Sequence, residues 1–323
     1  MKSSINDREN TYMDGIECER KKVCVLLSTY NGERYLEEQL NSLAAQKGVE
    51  LQVLIRDDGS KDRTLHLLED WAQKDKRFSY YYDENKGPAK SFLNLIVNSP
   101  DADYYAFCDQ DDVWDDDKLA IAVKYLEKEN KNSANMYYSN LKIVDQNLKF
   151  RYMSHQSPSP RRQKYSCLTE DVVTGCTIVF NAKAKEYVMY GIPNYCSMHD
   201  TWIYMICNFF GTVVYDFDAH ILYRQHGNNV VGAYQGKSKF LRYSESFKRI
   251  FDRKLQPRYN NAISFYEIYE PYLSEQDKQK LMIFVEYKDS FIKKLRLLFD
   301  KDIHATSKKR DLRYRGLILL GIL

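Results

Sequence analysis

The chain has little of what marks an unusual class. Its 323 residues include only 13 glycines and 7 prolines, which excludes collagen-like and low-complexity chains. Seven cysteines, at positions 18, 24, 108, 167, 176, 196 and 207, are odd in number and scattered. With no CxxC pair and no histidine close enough for a zinc ring, they read as reduced thiols of a cytoplasmic protein. No apolar run approaches the ~20 residues needed to cross a bilayer, and the strongest apolar tail is Leu317–Leu323. Met1–Arg20 is polar and charged with no apolar segment of leader length, so export is not expected. Neither GxxxxGK[ST] nor a GxGxxG after the first strand is present, which weakens P-loop and dinucleotide readings.

What is there is an ordinary globular composition, 44% hydrophobic and 29% charged, with enough chain for a sizeable core. The net charge of +3 hides an asymmetry. From Lys237 onward 20 Lys/Arg face 11 Asp/Glu, whereas the 28 Lys/Arg and 34 Asp/Glu before it leave a net −6. The expected organisation is therefore a polar N-terminal extension (1–20), a body (21–236) and a basic helical C-terminal region (237–323).

The body reads as strand and helix in alternation. Val23–Leu27 and Leu51–Arg56 are Val/Leu/Ile-rich runs too short for helices, the pattern of strands buried on both faces. Leu36, Leu40 and Leu43, then Leu65, Leu68 and Trp71, recur at helical spacing. Phe78–Tyr82 and Tyr104–Cys108 read as further strands, followed by helices through Phe92, Leu95 and Ile96 and through Leu119, Val123 and Leu126. Four such units predict an α/β fold with a mainly parallel, Rossmann-like sheet flanked by helices. Ser28–Asn31, Asp57–Ser60, Asn85–Pro88 and Asp109–Asp112 all fall at the carboxyl edge, where such sheets bind ligands.

Three like charges at Asp109, Asp111 and Asp112 raise one another's pKa and strain the loop unless a cation neutralises them. Hard oxygen ligands suit Mg²⁺ or Mn²⁺, which complete their shell with water and substrate phosphates. Asp115–Asp117 read instead as a cap and dipole partner for the next helix. Trp114 and Trp202 are open to two readings, a sugar-stacking face or plain core.

In order, these segments resemble the family 2 inverting glycosyltransferases, whose nucleotide-sugar domain has the GT-A fold. Val25-Leu26-Leu27-Ser28-Thr29-Tyr30-Asn31-Gly32 is similar to the family's opening strand and nucleotide loop, Arg56-Asp57-Asp58-Gly59-Ser60 to its second, and Asp109-Gln110-Asp111 to its DxD. Thr174-Gly175-Cys176, His199-Asp200 and Arg224-Gln225-His226-Gly227-Asn228-Asn229 resemble a branch rich in bacterial rhamnosyltransferases. The resemblance covers roughly residues 22–232. It implies that Thr29, Tyr30, Asn31 and Glu33 line the base and ribose pocket, that Asp58 touches the base, and that Asn85, Gly87 and Lys90 border the nucleotide. Asp109, beside Gln110, would face ribose and diphosphate, Asp111 would bind the metal, and His226 would join that site or stand as a turn residue. Asp200 would be the catalytic base, a role compatible with capping the helix after it.

The implied activity is metal-dependent transfer, with inversion, from a dTDP- or UDP-sugar to a hydroxyl of a surface glycan or lipid-linked oligosaccharide, with dTDP-rhamnose preferred as donor. Two other readings stand beside it: nucleotidyl transfer, whose Gly-rich opening loop is absent, and a non-catalytic nucleotide-sugar-binding scaffold. Tyr152–Tyr165, with Ser157-Pro158-Ser159-Pro160, has the composition of a mobile loop. In the tail, Lys308-Lys309-Arg310 lead into an apolar end that either lies on the cytoplasmic face of an anionic membrane or docks on the body. Nucleic acid is not an expected partner, since no recognition motif or basic face belongs to the body.

Overall fold

The computed structural model describes residues 20–156, 164–170, 172–226 and 256–323. The N-terminal extension, the Ser157–Arg162 stretch, Gly227–Asn229 and the first part of the basic tail lie outside the described residues. The first half follows the alternation: β1 (Lys22–Thr29), α1 (Leu36–Ala44), β2 (Glu50–Asp57), α2 (Thr64–Lys74), β3 (Phe78–Tyr82), α3 (Pro88–Asn98) and β4 (Tyr104–Cys108). Next come β5 (Val113–Trp114), α4 (Lys118–Leu126), β6 (Met136–Val144), β7 (Phe150–Met153), β8 (Val179–Asn181), α5 (Ala182–Val188), α6 (His199–Phe210) and β9 (Val213–Arg224). The described chain closes with α7 (Pro257–Tyr269), α8 (Glu275–Val285), α9 (Phe291–Leu298) and α10 (Lys308–Leu320).

One sheet runs in the order β3-β2-β1-β4-β8-β6-β9-β5, with β7 paired to β6. β1, β2, β3 and β4 pair in parallel as expected, and so do β6 and β9, but the sheet is mixed rather than purely parallel. β8 joins both β4 and β6 antiparallel, and β7 and β5 also pair antiparallel. The reason lies in the connections: β5 follows β4 after only the Asp109–Asp112 loop, too short for the crossover a parallel neighbour requires. It pairs instead with the end of β9, Val113 opposite Leu222, which brings the acidic loop beside Arg224.

β1 sends Val23, Val25 and Leu27 to one face of the sheet and Cys24 and Leu26 to the other, and all five are buried. The first face is covered by Leu36, Leu40, Leu43, Leu68, Trp71 and Leu119 from α1, α2 and α4. The second is covered by α3, α5 and α6, and the same apolar cluster continues through Phe265, Tyr269, Leu281, Phe284, Tyr287 and Ile318 of the C-terminal region. Trp114 and Trp202 are both core side chains. The six described cysteines are free.

Candidate active site

The loops that follow β1 and β2 are tied to each other residue by residue. Thr29, fully buried, donates its hydroxyl to Asp57 at 2.9 Å, and Asp57 also accepts the Gly59 and Ser60 amides. Asn31 adopts a left-handed φ of 48°, a conformation Asn tolerates better than most residues. Its amide donates to Ser60 Oγ and its side-chain oxygen accepts the Lys61 amide, both at 2.8 Å. Gly32 N–H donates to Thr64 Oγ1, while Glu33 accepts the Arg63 amide at 2.9 Å. The N-cap of α2 is Arg63, and Asp62 accepts the Thr64 amide at 3.0 Å.

A second brace lies beneath. Arg56 is buried; its guanidinium holds Asp58 and donates to Ser91, Asp83 and the Glu84 carbonyl. Asp58 in turn accepts the Lys86 and Gly87 amides at 2.9 Å. The Asp58 carboxylate thus fixes the turn containing Asn85 and Gly87, which leads into α3. Lys90, on the first turn of that helix, is exposed. Tyr30 and Gln110 exchange two hydrogen bonds, 2.8 and 3.0 Å, joining the first loop to the acidic loop.

The acidic loop gathers charge at low hydration. Burial, with the charges of Asp111 and Asp200, pushes the Asp109 carboxyl up to about 7. Asp112 is fully buried and is held well above the usual carboxyl range by burial and by Asp111 and Asp109. Its Oδ1 accepts the Arg224 amide at 2.9 Å, while its buried Oδ2 has no hydrogen-bond partner among the described residues. Asp111 Oδ2 stands 2.7 Å from His226 Nε2, and the His226 ring packs on Tyr35. Arg224 donates to the Asp111 carbonyl, the Gln146 carbonyl and Glu38, locking the end of β9 under the loop.

A divalent cation fits this chemistry. Oxygens of Asp109 and Asp112 and the Cys176 sulfur lie within 4.8 Å of one another. Burial and both carboxylates hold the Cys176 thiol protonated, so the hard carboxylate oxygens, not the sulfur, are the donors suited to Mg²⁺ or Mn²⁺. Asp111, the expected metal ligand, is outside that compact group and faces His226. Asp115 and Asp116, expected to serve the next helix, pair with Lys142 and Lys47, and the α4 N-cap, Asp117, makes no side-chain capping bond.

Asp200 reaches the same centre from α6. It is the second residue of that helix, whose N-cap is Met198, and its Oδ1 accepts the Thr201 amide at 2.7 Å. Gly175 makes room for the neighbouring His199: a methyl there would come to 2.8 Å from His199 Nε2, while standing at an ordinary contact of 3.7 Å from Asp200 Cβ. His199 is buried between Phe92, stacked at 3.8 Å, and Phe107, edge-on at 4.5 Å. Neither ring nitrogen has a hydrogen-bond partner among the described residues, and burial pulls its pKa down to about 3, so the ring is neutral.

The turn clusters that the sequence put at the carboxyl edge are joined in the structure by hydrogen bonds of Asn31 to Ser60, Asp58 to Gly87 and Tyr30 to Gln110, and Asp111 is met by His226. Sequence reasoning named Asp112 among the three like charges but not as a ligand, and it missed Cys176 and Arg224 as parts of the acidic centre and Arg56 as the buried brace. A charged residue within a buried strand, as Arg56 is in β2, was the one signal available, since such a charge needs a partner.

The chain belongs to glycosyl transferase family 2: the family's sequence model matches residues 24–188, from β1 to the end of α5. Over 219 residues it is 33% identical to the dTDP-rhamnosyl transferase RfbG of Shigella flexneri, covering 64% of this chain and 74% of that protein. It is 36% identical over 109 residues to an uncharacterized glycosyltransferase of Rickettsia felis, a match spanning 34% of this chain and only 18% of that relative. Among solved structures, S. aureus TarS 1-349 in complex with UDP-GlcNAc superposes with a TM-score of 0.56 at 17% identity, covering 94% of this chain and 82% of that one. This likeness shows a shared fold, an α/β sheet with a C-terminal helical extension.

Proposed function

We propose that the protein transfers a sugar, with inversion, from a nucleoside-diphosphate donor to a hydroxyl of a growing bacterial surface glycan such as an O-antigen, capsule or exopolysaccharide. The donor we assign is dTDP-rhamnose, bound by the 21–236 body. The observation that carries the reading is proximity: Asp200 Cβ lies 3.7 Å from where a Gly175 Cβ would stand, and the next residue, Cys176, is grouped with Asp109 and Asp112, so the helix-borne carboxylate stands beside the acidic loop. The donor assignment is supported by the likeness to the Shigella dTDP-rhamnosyl transferase.

In this reading the exposed Tyr30, Asn31, Glu33, Asn85 and Lys90 side chains border the nucleotide, on a frame set by Thr29, Asp58 and Gly87. Asp200 accepts the proton of the acceptor hydroxyl as its oxygen attacks the anomeric carbon. The bond from that carbon to the diphosphate oxygen breaks on the opposite side, and the leaving diphosphate keeps the electron pair. Asp109, Asp111 and Asp112, with His226 against Asp111, would hold Mg²⁺ or Mn²⁺. The chemistry such an ion supplies when bound is stabilisation of charge on the leaving diphosphate.

The test is a thermal-shift screen with dTDP- and UDP-sugars in Mn²⁺, Mg²⁺ or EDTA. A ligand at 100 times its Kd stabilises by about 2.7 kcal/mol. The expected result is a rise in Tm with dTDP-rhamnose that EDTA abolishes. A rise with a UDP-sugar instead reassigns the donor, and a folded protein indifferent to every donor contradicts the transferase reading.

A further inference from the structure

The last two helices meet in an apolar tip. Lys294 Nζ on α9 reaches the Leu319 carbonyl on α10 at 3.4 Å, Arg315 donates to the Leu298 carbonyl, and the Leu323 amide donates to Tyr287 Oη at 3.2 Å. The pair is antiparallel, so the start of α9 lies beside the end of α10. Four large apolar side chains stand in solvent there: Phe291 (71% exposed), Ile292 (67%), Leu319 (56%) and Leu320 (60%). They are not the residues that dock the pair. Leu297, Tyr314, Ile318 and Leu323 are buried in the core, which leaves the tip as surplus apolar surface. Single exposed apolar residues are ordinary, whereas a cluster marks an interaction site.

The charges along the outward side of the α9–α10 pair say what covers it. Arg296, Lys301, Lys308, Lys309 and Arg313 are exposed and make no ion pair among the described residues. The acids of this segment are already engaged: Asp289 with Lys293, Asp300 and Asp302 with Lys280, and Asp311 with Arg315. The outward surface is therefore basic and apolar together, complementary to anionic headgroups above acyl chains. α10, with 13 residues, spans about 20 Å and is too short to cross a bilayer. Lys309, Leu312 (74% exposed), Arg313, Leu319 and Leu320 recur at helical spacing on one outward face of α10, so the helix would lie along a membrane with bases and leucines on the same side.

We propose that the tip formed by α9 and α10 holds the protein on an anionic lipid bilayer. Phe291, Ile292, Leu319 and Leu320 enter the boundary between headgroups and acyl chains, and the unpaired bases lie on lipid phosphates. The proposal goes beyond the transfer reaction and is read without any donor, so either can fail alone.

The full chain is sedimented with vesicles of phosphatidylcholine containing about 30% phosphatidylglycerol, and with phosphatidylcholine alone, at about 0.15 M salt. Binding is expected to be at least about tenfold stronger to the anionic vesicles. The combined variant Phe291→Ser, Ile292→Ser, Leu319→Ser, Leu320→Ser should keep the wild-type Tm and lose about tenfold or more of that binding. Lys309→Glu with Arg313→Glu should remove the preference for anionic lipid. No vesicle binding by the wild type, or undiminished binding by the four-serine variant, overturns the proposal. So does a concentration-dependent dimer in analytical ultracentrifugation that the four-serine variant abolishes, which would give the tip to a second copy of the chain.

Discussion

Asp200 and His199 are neighbours in sequence and opposites in environment. Asp200 opens toward the acidic centre at the start of α6, while His199 is clamped between two phenylalanines with no hydrogen bond from its ring. His199 thus holds the start of α6 in place as a flat neutral ring. His199→Phe is expected to keep kcat within about threefold and leave its pH profile unmoved, because no proton of the ring is used. The same substitution should relieve acid lability. The native pKa lies below the ordinary histidine value, so the unfolded state binds the extra proton; stability contributed by this group is present above about 6.5 and is lost as pH falls toward about 3. Melting curves of wild type and variant across that window check the sign. Gly175→Ala drives a methyl into the His199 ring, which must shift the start of α6 and Asp200 with it, and is expected to lower kcat by about tenfold or more, since misplacing a reacting group is costly.

Asp109 carries the opposite linkage. Its pKa is raised from the ordinary carboxyl value to about 7, so the folded state binds the proton more tightly and the metal-free protein loses stability as pH rises between those values. In EDTA, Asp109→Asn should therefore raise Tm more at pH 8 than at pH 4. Equal shifts at both would contradict the cause assigned to this carboxyl.

At the scale of elements, the loops act through their braces. Arg56 and Asp58 are a buried pair, and Arg56→Met would leave Asp58 as an uncompensated buried charge beneath the turn at 85–87. Breaking such a pair costs about 3–5 kcal/mol, measurable by urea unfolding. At the acidic loop, Asp111→Ala should abolish stabilisation by Mn²⁺ while Cys176→Ser keeps it, because the buried thiol is protonated and soft. Retention of Mn²⁺ stabilisation by Asp111→Ala would move the metal onto Asp109 and Asp112 alone.

The first four strands were legible because a strand buried on both faces leaves an unbroken apolar run, as in Val23–Leu27. The mixed half of the sheet was not. β5 is two residues long, and β6 carries Ser139 and Asn140 into the interior, where Asn140 accepts the His155 amide; neither strand shows an apolar run or alternation. The site was legible as a set of turn clusters at one edge, since each follows a readable strand. Their joining was not, because the hydrogen bonds of Tyr30 to Gln110, Asp58 to Gly87 and Arg224 to Asp112 span up to 112 residues and depend on register.

For the whole molecule, the C-terminal helices complete the second core layer. Phe265 and Tyr269 of α7 pack on Trp202, directly behind the helix that bears Asp200. Ending the chain at Gln256 would expose that face, so the shortened protein is expected to aggregate or to melt well below the full chain. A soluble truncate of unchanged Tm would contradict this packing.

The central claim, that Asp200 removes the acceptor proton at a crevice shared with the acidic loop, is tested most directly by comparing wild type with Asp200→Asn. Nucleoside diphosphate release from dTDP-rhamnose would be followed in Mn²⁺ with a glycan acceptor, alongside donor affinity from thermal shift. The expected result is a loss of about 10²–10⁴ in kcat with donor binding unchanged. Near wild-type turnover in Asp200→Asn would remove Asp200 as the base.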